Sequence, residues 1–492
     1  MAGLTSAVGT ISSAGIGSGL DVNNIVTQLM AVERKPLERL QTTATTLQTQ
    51  LSAFGQLQSL VSGLQDAAKP LFAADSYKLS NAGSTDPGSV SAGTTTKAVP
   101  GIYAVSVSSL SAAQSLVSPA GQYADATAAV GTGSLTIRLG SWNADSTAFT
   151  PKAAASDITV PIGASENTLA GIRDKINAAN AGISASIVTD GSGSRLALQS
   201  TATGSANGFR VTVIDDDGAN ADAVGLSRLA YDPAGAGAQM TRAQAAADTR
   251  ASINGIAVTS SSNTLDNVIE GITFNLSKVT TQPVTVNVTR NTDAIKSFVT
   301  GFVAAYNALN TFLSSMTRYD AATKQAALLQ GDGTTTGIHN QLRSLVSPAS
   351  PASSFFTTLS SIGVQLQKDG SLKLDDVAFG KAVENLPELT KALSSVDNAN
   401  PANHGFGKRF SAWSERLLAS TGSVPGKTKS IQARIDSNQK DQEKLGDRLQ
   451  MMERRMRAQY SALDTTMAKA NALSKYVQQQ FYTKSIYDND RN

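Results

Sequence analysis

The chain has 492 residues, enough for about three or four domains, of which 41% are hydrophobic, 5% aromatic and 16% charged. Its 41 basic and 38 acidic residues leave a net charge of +3, which gives no general reason to expect nucleic acid or an anionic membrane as partner. Cysteine is absent, which excludes disulfides, thiolate metal sites and cysteine nucleophiles, and no run of 18 apolar residues would span a membrane.

The first twenty residues, MAGLTSAVGTISSAGIGSGL, lack the basic region and continuous apolar stretch of a cleavable signal. If the chain is secreted, it leaves by a route that does not read one. From Leu37 the apolar positions run Leu37, Leu40, Ala44, Leu47, Leu51, Phe54 and Val61, with Gln58 as a polar exception. Intervals of three and four in alternation predict a helix with a heptad seam.

Residues 102–107, 134–139, 183–188, 195–198 and 209–214 alternate apolar with polar and predict strands separated by Gly- and Ser-rich turns. One helix interrupts them, from Thr168 to Asn180, with Asn167 expected as its cap. A second β block follows over 252–258, 271–276 and 283–288, and Asn254-Gly255 predicts a tight hairpin.

Past Arg290 the period becomes 3.6. Ile295, Phe298, Phe302, Tyr306, Leu309 and Leu313 form one helical stripe, with further helices over 338–346 and 377–386 and a short hairpin turning at Asp369-Gly370. The heptad spacing then returns at Ile431, Ile435, Asn438, Gln442, Leu445, Leu449, Met452 and Met456, and continues to Leu463, Met467 and Ala470. Between Lys427 and Arg457 nine basic and five acidic residues interleave, which reads as the solvated face of a long helix. The two helical ends are expected to meet, because half-coils alone would leave their seams in water. The order is thus helix, β, β, helix, with the β modules carried as insertions on a helical stalk.

Catalytic patterns are thin. His339 and His404 are the only histidines, far apart in sequence and without an acidic pair nearby. Gly15, Gly17 and Gly19 are spaced wrongly for a dinucleotide loop, and residues 331–337 lack the Gly-Lys-Ser/Thr ending of a phosphate loop. Asp215-Asp216-Asp217-Gly218 has Ala219 where a calcium loop needs an oxygen, so it reads as a strand-end turn. Trp142 and Trp413 read as isolated aromatics. The residues point to no enzyme, metal site or cofactor.

Several segments together resemble one family. Residues 15–36, GIGSGLDVNNIVTQLMAVERKP, are similar to the N-terminal signature of the bacterial flagellar filament cap proteins, also called hook-associated protein 2. SINGI at 252–256, GITF at 271–274, FVAAYN at 302–307, LQGD at 329–332, IGV at 362–364 and GSLKLD at 370–375 resemble that family's C-terminal module. NTLAGIRDKIN at 167–177, with the strands after it, resembles an insertion module shared by flagellins and hook proteins.

The resemblance implies an α+β multidomain fold: a coiled-coil leg and a helical domain built from both termini, with two nested β-rich head domains between. Carried onto this chain, the leg is expected at 1–41 and 426–492 and the helical domain at 42–77 and 291–425. The inner head is expected at 78–115 and 239–290, and the outer head at 116–238. It implies a structural cap at the distal end of the filament that retains exported flagellin and helps it fold and insert. The implied partners are flagellin, its own copies in a ring (five the expected number, although no heptad pattern fixes it), the flagellar export apparatus and an export chaperone, at an extracellular tip with no membrane insertion.

The polar seam positions Gln58, Asn438 and Gln442 predict a leg that packs weakly enough to let go. Met451, Met452, Met456 and Met467 predict an adaptable apolar surface, and the polar ends 1–20 and 475–492 are expected to order only on a partner. Ile25, Leu29 and Val32 are expected to pack against neighbouring subunits or flagellin, and Leu445, Leu449, Met452 and Met456 to serve leg, filament or subunit packing. An adhesin binding host mucin or glycans through residues 78–290 is the alternative, and a plain filament subunit a third reading.

Overall fold

The computed structural model describes residues 21–235 and 237–489, so the expectations placed on 1–20 and 490–492 lie outside the described residues. Two compact units emerge, one formed by the two ends of the chain and the other by residues 74–295.

The first unit is helical. Helix α1 (Val22–Phe72) starts at Asp21, whose carboxylate accepts the Asn24 N–H at 3.0 Å. It therefore begins well before Leu37, where the heptads place it, and runs through Pro36. A proline inside a helix costs about 3 kcal/mol, since it has no N–H to give and crowds the preceding turn. Burial of Val22, Val26 and Met30 on the near side offsets that cost.

Within the outer part of the fold's β unit lies α2, and after it come α3 (Thr292–Thr317), α4 (Gly333–Val346), α5 (Asp376–Glu384), α6 (Leu386–Ser394), α7 (Phe406–Leu418) and α8 (Ser423–Asn489), with α2 spanning Leu169–Ala178. The expected helix over 377–386 is two helices parted at Asn385, because Pro387 in the first turn of α6 has no N–H to continue the ladder from α5 and its ring would crowd the Val383 carbonyl. Helix α7 escaped the sequence reading, although Phe406, Phe410, Trp413 and Leu417 carry its period and are all buried. Phe410 packs edge-on against Phe302 of α3 at 4.8 Å, which locks the predicted α3 stripe into the core.

The α1 seam differs from the expected register in one place. Leu57 is fully buried and Gln58 exposed, so the core row runs Phe54, Leu57, Val61, Leu64, Ala68. The seam there is apolar throughout, and Gln58 does not weaken it. Asn438 is buried as expected, and its side-chain oxygen accepts from the half-buried Gln442 amide at 2.6 Å. Beyond Met456 the spacing misleads: Leu463 and Met467 are exposed. Helix α8 also stays helical to Asn489, where polarity alone predicts an unordered end, because its Ala, Lys and Gln residues have good helix propensity.

The second unit holds two β assemblies, one nested in the other. A five-stranded antiparallel sheet runs Ser80–Ser84, Val284–Arg290, Gly101–Ser109, Thr249–Ile253, Ile256–Ser260 in spatial order. It shares a core with a three-stranded sheet built from Thr264–Ile269, Ile272–Leu276 and Val90–Thr94. Ser109 pairs with Arg250, so the chain leaves the sheet on one strand and returns on its neighbour. The excursion between them is the outer assembly, centred on Gly133–Trp142 paired with Gly208–Asp215 and on Ile183–Asp190 paired with Gly193–Ser200. Helix α2 buries Leu169, Ile172 and Ile176 against it. Its cap is Thr168, whose hydroxyl accepts the Gly171 N–H at 3.1 Å, rather than Asn167. The predicted hairpin turns at Asn254 and Gly255, both at positive φ (50° and 83°), which is why that dipeptide stands there.

Candidate interaction surface

Asn23 of α1 meets Arg457 of α8, and Arg34, further along α1, meets Glu453, earlier in α8, so the two helices run antiparallel. Their apolar contact is one cluster. Val22, Val26, Met30 and Leu449 are buried, and Leu37, Leu445, Met452, Met456 and Tyr460 pack partly buried against them. Spacing by four places Val22, Val26 and Met30 on one side of α1, and spacing by four and three places Leu445, Leu449, Met452 and Met456 on one side of α8. The structure thus brings the four C-terminal candidates, Leu445, Leu449, Met452 and Met456, together against α1.

Ile25, Leu29 and Val32 lie on a different side. Ile25 is half-buried, Leu29 is 39% exposed and Val32 62% exposed. The sequence reading missed Val22, Val26 and Met30 as the inward row, because residues 22–32 are apolar over a wide arc and only α8 selects a side.

Polar contacts rim the cluster. Glu453 accepts from Arg457 Nε and Nη2 at 3.1 and 2.9 Å and from Arg34 Nη2 at 3.3 Å. Arg457 Nη1 donates to Asn23 Oδ1 at 2.9 Å. The Arg457 hydrogen bonds, with the Arg34 charge added, hold the Glu453 carboxyl below its ordinary range.

Beyond Met30 the hairpin loosens. No residue of α1 from 31 to 46 is fully buried, and Gly446 faces it with no side chain. A groove of about 550 Å³ opens there between the helices, lined by Leu37, Glu38, Gln41, Gly446, Asp447 and Leu449 among others.

The catalytic candidates have structural roles. His339 Nε2 lies 3.1 Å from Asn310 Oδ1, and burial with the Arg343 charge pushes its pKa down. His404 is buried, and its Nδ1 accepts the Asp397 N–H at 3.0 Å. Asp215 closes a strand end by accepting Ser227 N–H at 2.8 Å, and Asp332 caps α4 by accepting Thr335 N–H at 2.9 Å. Trp142, read as isolated, packs on Phe149 at 4.8 Å and Tyr231 at 5.6 Å, with its N–H given to the Phe209 carbonyl. Among the described residues no group of three or more His, Asp or Glu side chains converges as a metal site, and no helix is long and apolar enough to cross a membrane.

Known proteins match along the same order of elements. The family model described as flagellar hook-associated protein 2 N-terminus matches residues 18–114, and the one described as its C-terminus matches 246–472. A flagellin hook IN motif matches 149–202, within the outer assembly. Flagellar hook-associated protein 2 of Escherichia coli is 31% identical over 487 residues, covering 97% of this chain and 99% of that protein. The B-type flagellar hook-associated protein 2 of Pseudomonas aeruginosa is 30% identical, with 92% and 93% covered. The crystal structure of the flagellar cap protein FliD D1-D2-D3 domains from Escherichia coli aligns with a TM-score of 0.61 at 30% identity, covering 77% of this chain and 99% of that one.

Proposed function

The chain belongs to the flagellar hook-associated protein 2 family, the caps of flagellar filaments, and from that membership we propose that it retains exported flagellin at the filament tip and promotes its folding and insertion. The observation that carries this reading is the leg. Two helices from opposite ends of the chain close on each other through Val22, Val26, Met30 and Leu449, yet leave Leu29 and Val32 in water on the flank. Apolar side chains held exposed on a rigid helix are a docking surface for another protein. In this reading Ile25, Leu29 and Val32 contact flagellin or a neighbouring copy, while Leu445, Leu449, Met452 and Met456 set the spacing of the leg.

A cap must hold on while subunits enter beneath it. The Asn438–Gln442 pair within the seam and the methionines at 452 and 456 give a leg that adapts to successive neighbours. Self-assembly into a ring, delivery by the flagellar export apparatus with an export chaperone, and passage through the filament channel without a cleaved signal belong to the same proposal. A chain without cysteine and with few aromatics travels unfolded without cross-linking. The adhesin alternative is not favoured: Trp142, Phe149 and Tyr231 pack on one another, and Tyr231 is buried in the outer core.

The test is flagellin in the culture supernatant of a strain lacking this gene, by quantitative blot. Abundant unpolymerised flagellin and missing filaments are expected; normal filaments with a clean supernatant would overturn the reading.

A further inference from the structure

Charge is distributed unevenly around the leg. The residues lining the groove between α1 and α8 bring three carboxylates, Glu38, Asp447 and Glu453, and one guanidinium, Arg34. Arg34 is already turned onto Glu453 at 3.3 Å, whereas Glu38 and Asp447 are exposed and form no ion pair among the described residues. The floor is apolar, from Leu37 and Leu449, and Gly446 leaves room above it.

The far flank of α8 has the opposite character. Lys444, Arg448, Met451 and Arg455 are spaced by four, three and four, so at 100° per residue they stack in one stripe about 160° around the helix from Glu453. All four are exposed, Met451 by 64%, and none of the three cations forms an ion pair among the described residues. A methionine standing in water between cations on a helix is an apolar knob in a basic setting. The stripe is about 16 Å long, and the groove along α8, from Gly446 to Glu453, covers about 10 Å, so the groove takes the middle of the stripe around Arg448 and Met451.

We infer that the groove receives α8 of a second copy of this chain, with Met451 of the second copy seated over Leu37 and Leu449 and its Lys444, Arg448 and Arg455 facing Glu38 and Asp447. The match of an acidic, apolar-floored groove to a basic, apolar-centred stripe selects a copy of this chain as occupant, because both halves lie on every leg. Receiving and donating surfaces lie on different flanks of α8, with Asp447 at the boundary between them, about 40° around the helix from Met451. The contact is heterologous, the class that closes into rings. This rests on the proposed self-assembly of the cap and names the surfaces that make it.

The test uses the full chain in two forms, one with Lys444→Glu, Arg448→Glu and Arg455→Glu, the other with Glu38→Lys and Asp447→Lys. All five positions are exposed, so circular dichroism melting is expected to match the parent. In sedimentation velocity the parent is expected to assemble, and more weakly at about 0.5 M salt than at about 0.05 M. Each variant alone is expected to bind itself about tenfold or more weakly, and an equimolar mixture to regain assembly, because the reversed charges again meet opposites. A parent that stays monomeric, variants that assemble like the parent, or a mixture that stays apart would each overturn the inference. The gene-deletion blot is a separate readout, so capping can stand while this contact falls.

Discussion

Arg34 and Glu453 are 419 residues apart in sequence and 3.3 Å apart in space, guanidinium Nη2 to carboxylate Oε2. Together with Arg457 they fasten the two ends of the chain at the point where the leg begins to loosen. Because Glu453 titrates below its ordinary value of 4.5 in the folded leg, its contribution is fully present above that value and is lost as pH falls through the folded one. The leg is therefore expected to melt at lower temperature on acidification below about pH 4.5, and Glu453→Gln to flatten that dependence. Circular dichroism melts from about pH 3 to about pH 7 provide the check. An unchanged pH slope in the variant would remove Glu453 from the account.

Leu29→Asp places a charge on the exposed flank of α1, where it meets water and no core. Folding of the purified chain is expected to be within about 0.5 kcal/mol of the parent. Swimming is expected to be abolished, because a desolvated carboxylate at an interface costs several-fold more than the apolar contact it replaces. Normal motility on soft agar would show that this flank touches nothing.

The registers of Leu57 and Gln58 are separable by paired substitutions. Leu57→Gln buries an unpartnered amide at a fully enclosed site and is expected to cost about 3 kcal/mol or more. Gln58→Leu changes a solvent-facing position and is expected to shift stability by less than about 0.5 kcal/mol. Urea unfolding of the two variants decides which residue holds the seam.

Gly271 has φ of +78°, and a Cβ there would lie 2.4 Å from the Ala98 nitrogen. Gly271→Ala is expected to destabilise the inner β assembly by about 2 kcal/mol or more, through the backbone conformation and the collision together. Differential scanning calorimetry of the variant would show it, and a melt like the parent's would mean that the turn has room to relax.

Sequence and structure agree where the signal is local. The alternation over 102–107 and 134–139 and the Asn254-Gly255 turn identify their elements because pleat and turn chemistry are set by adjacent residues. The same holds for the α8 seam from Ile431 to Met456, where an unbroken three-four rhythm admits one inward side. Short strands such as Ser80–Ser84 and Phe149–Pro151 were not legible, since SNAGS and FTP have little pattern of their own and are held by the strands beside them.

Composition, periodicity and turn chemistry by themselves determined that this chain has helical ends enclosing two β blocks and no cysteine or histidine cluster for catalysis; the nesting of one β module in the other came from the family resemblance. They could not choose between Leu57 and Gln58, or between the Val22–Val26–Met30 row and Ile25–Leu29–Val32, because a helix with two apolar flanks has the same hydrophobic period whichever flank is buried. Only the approach of α8 decided that, by burying one flank and leaving the other, with the groove beside it, exposed.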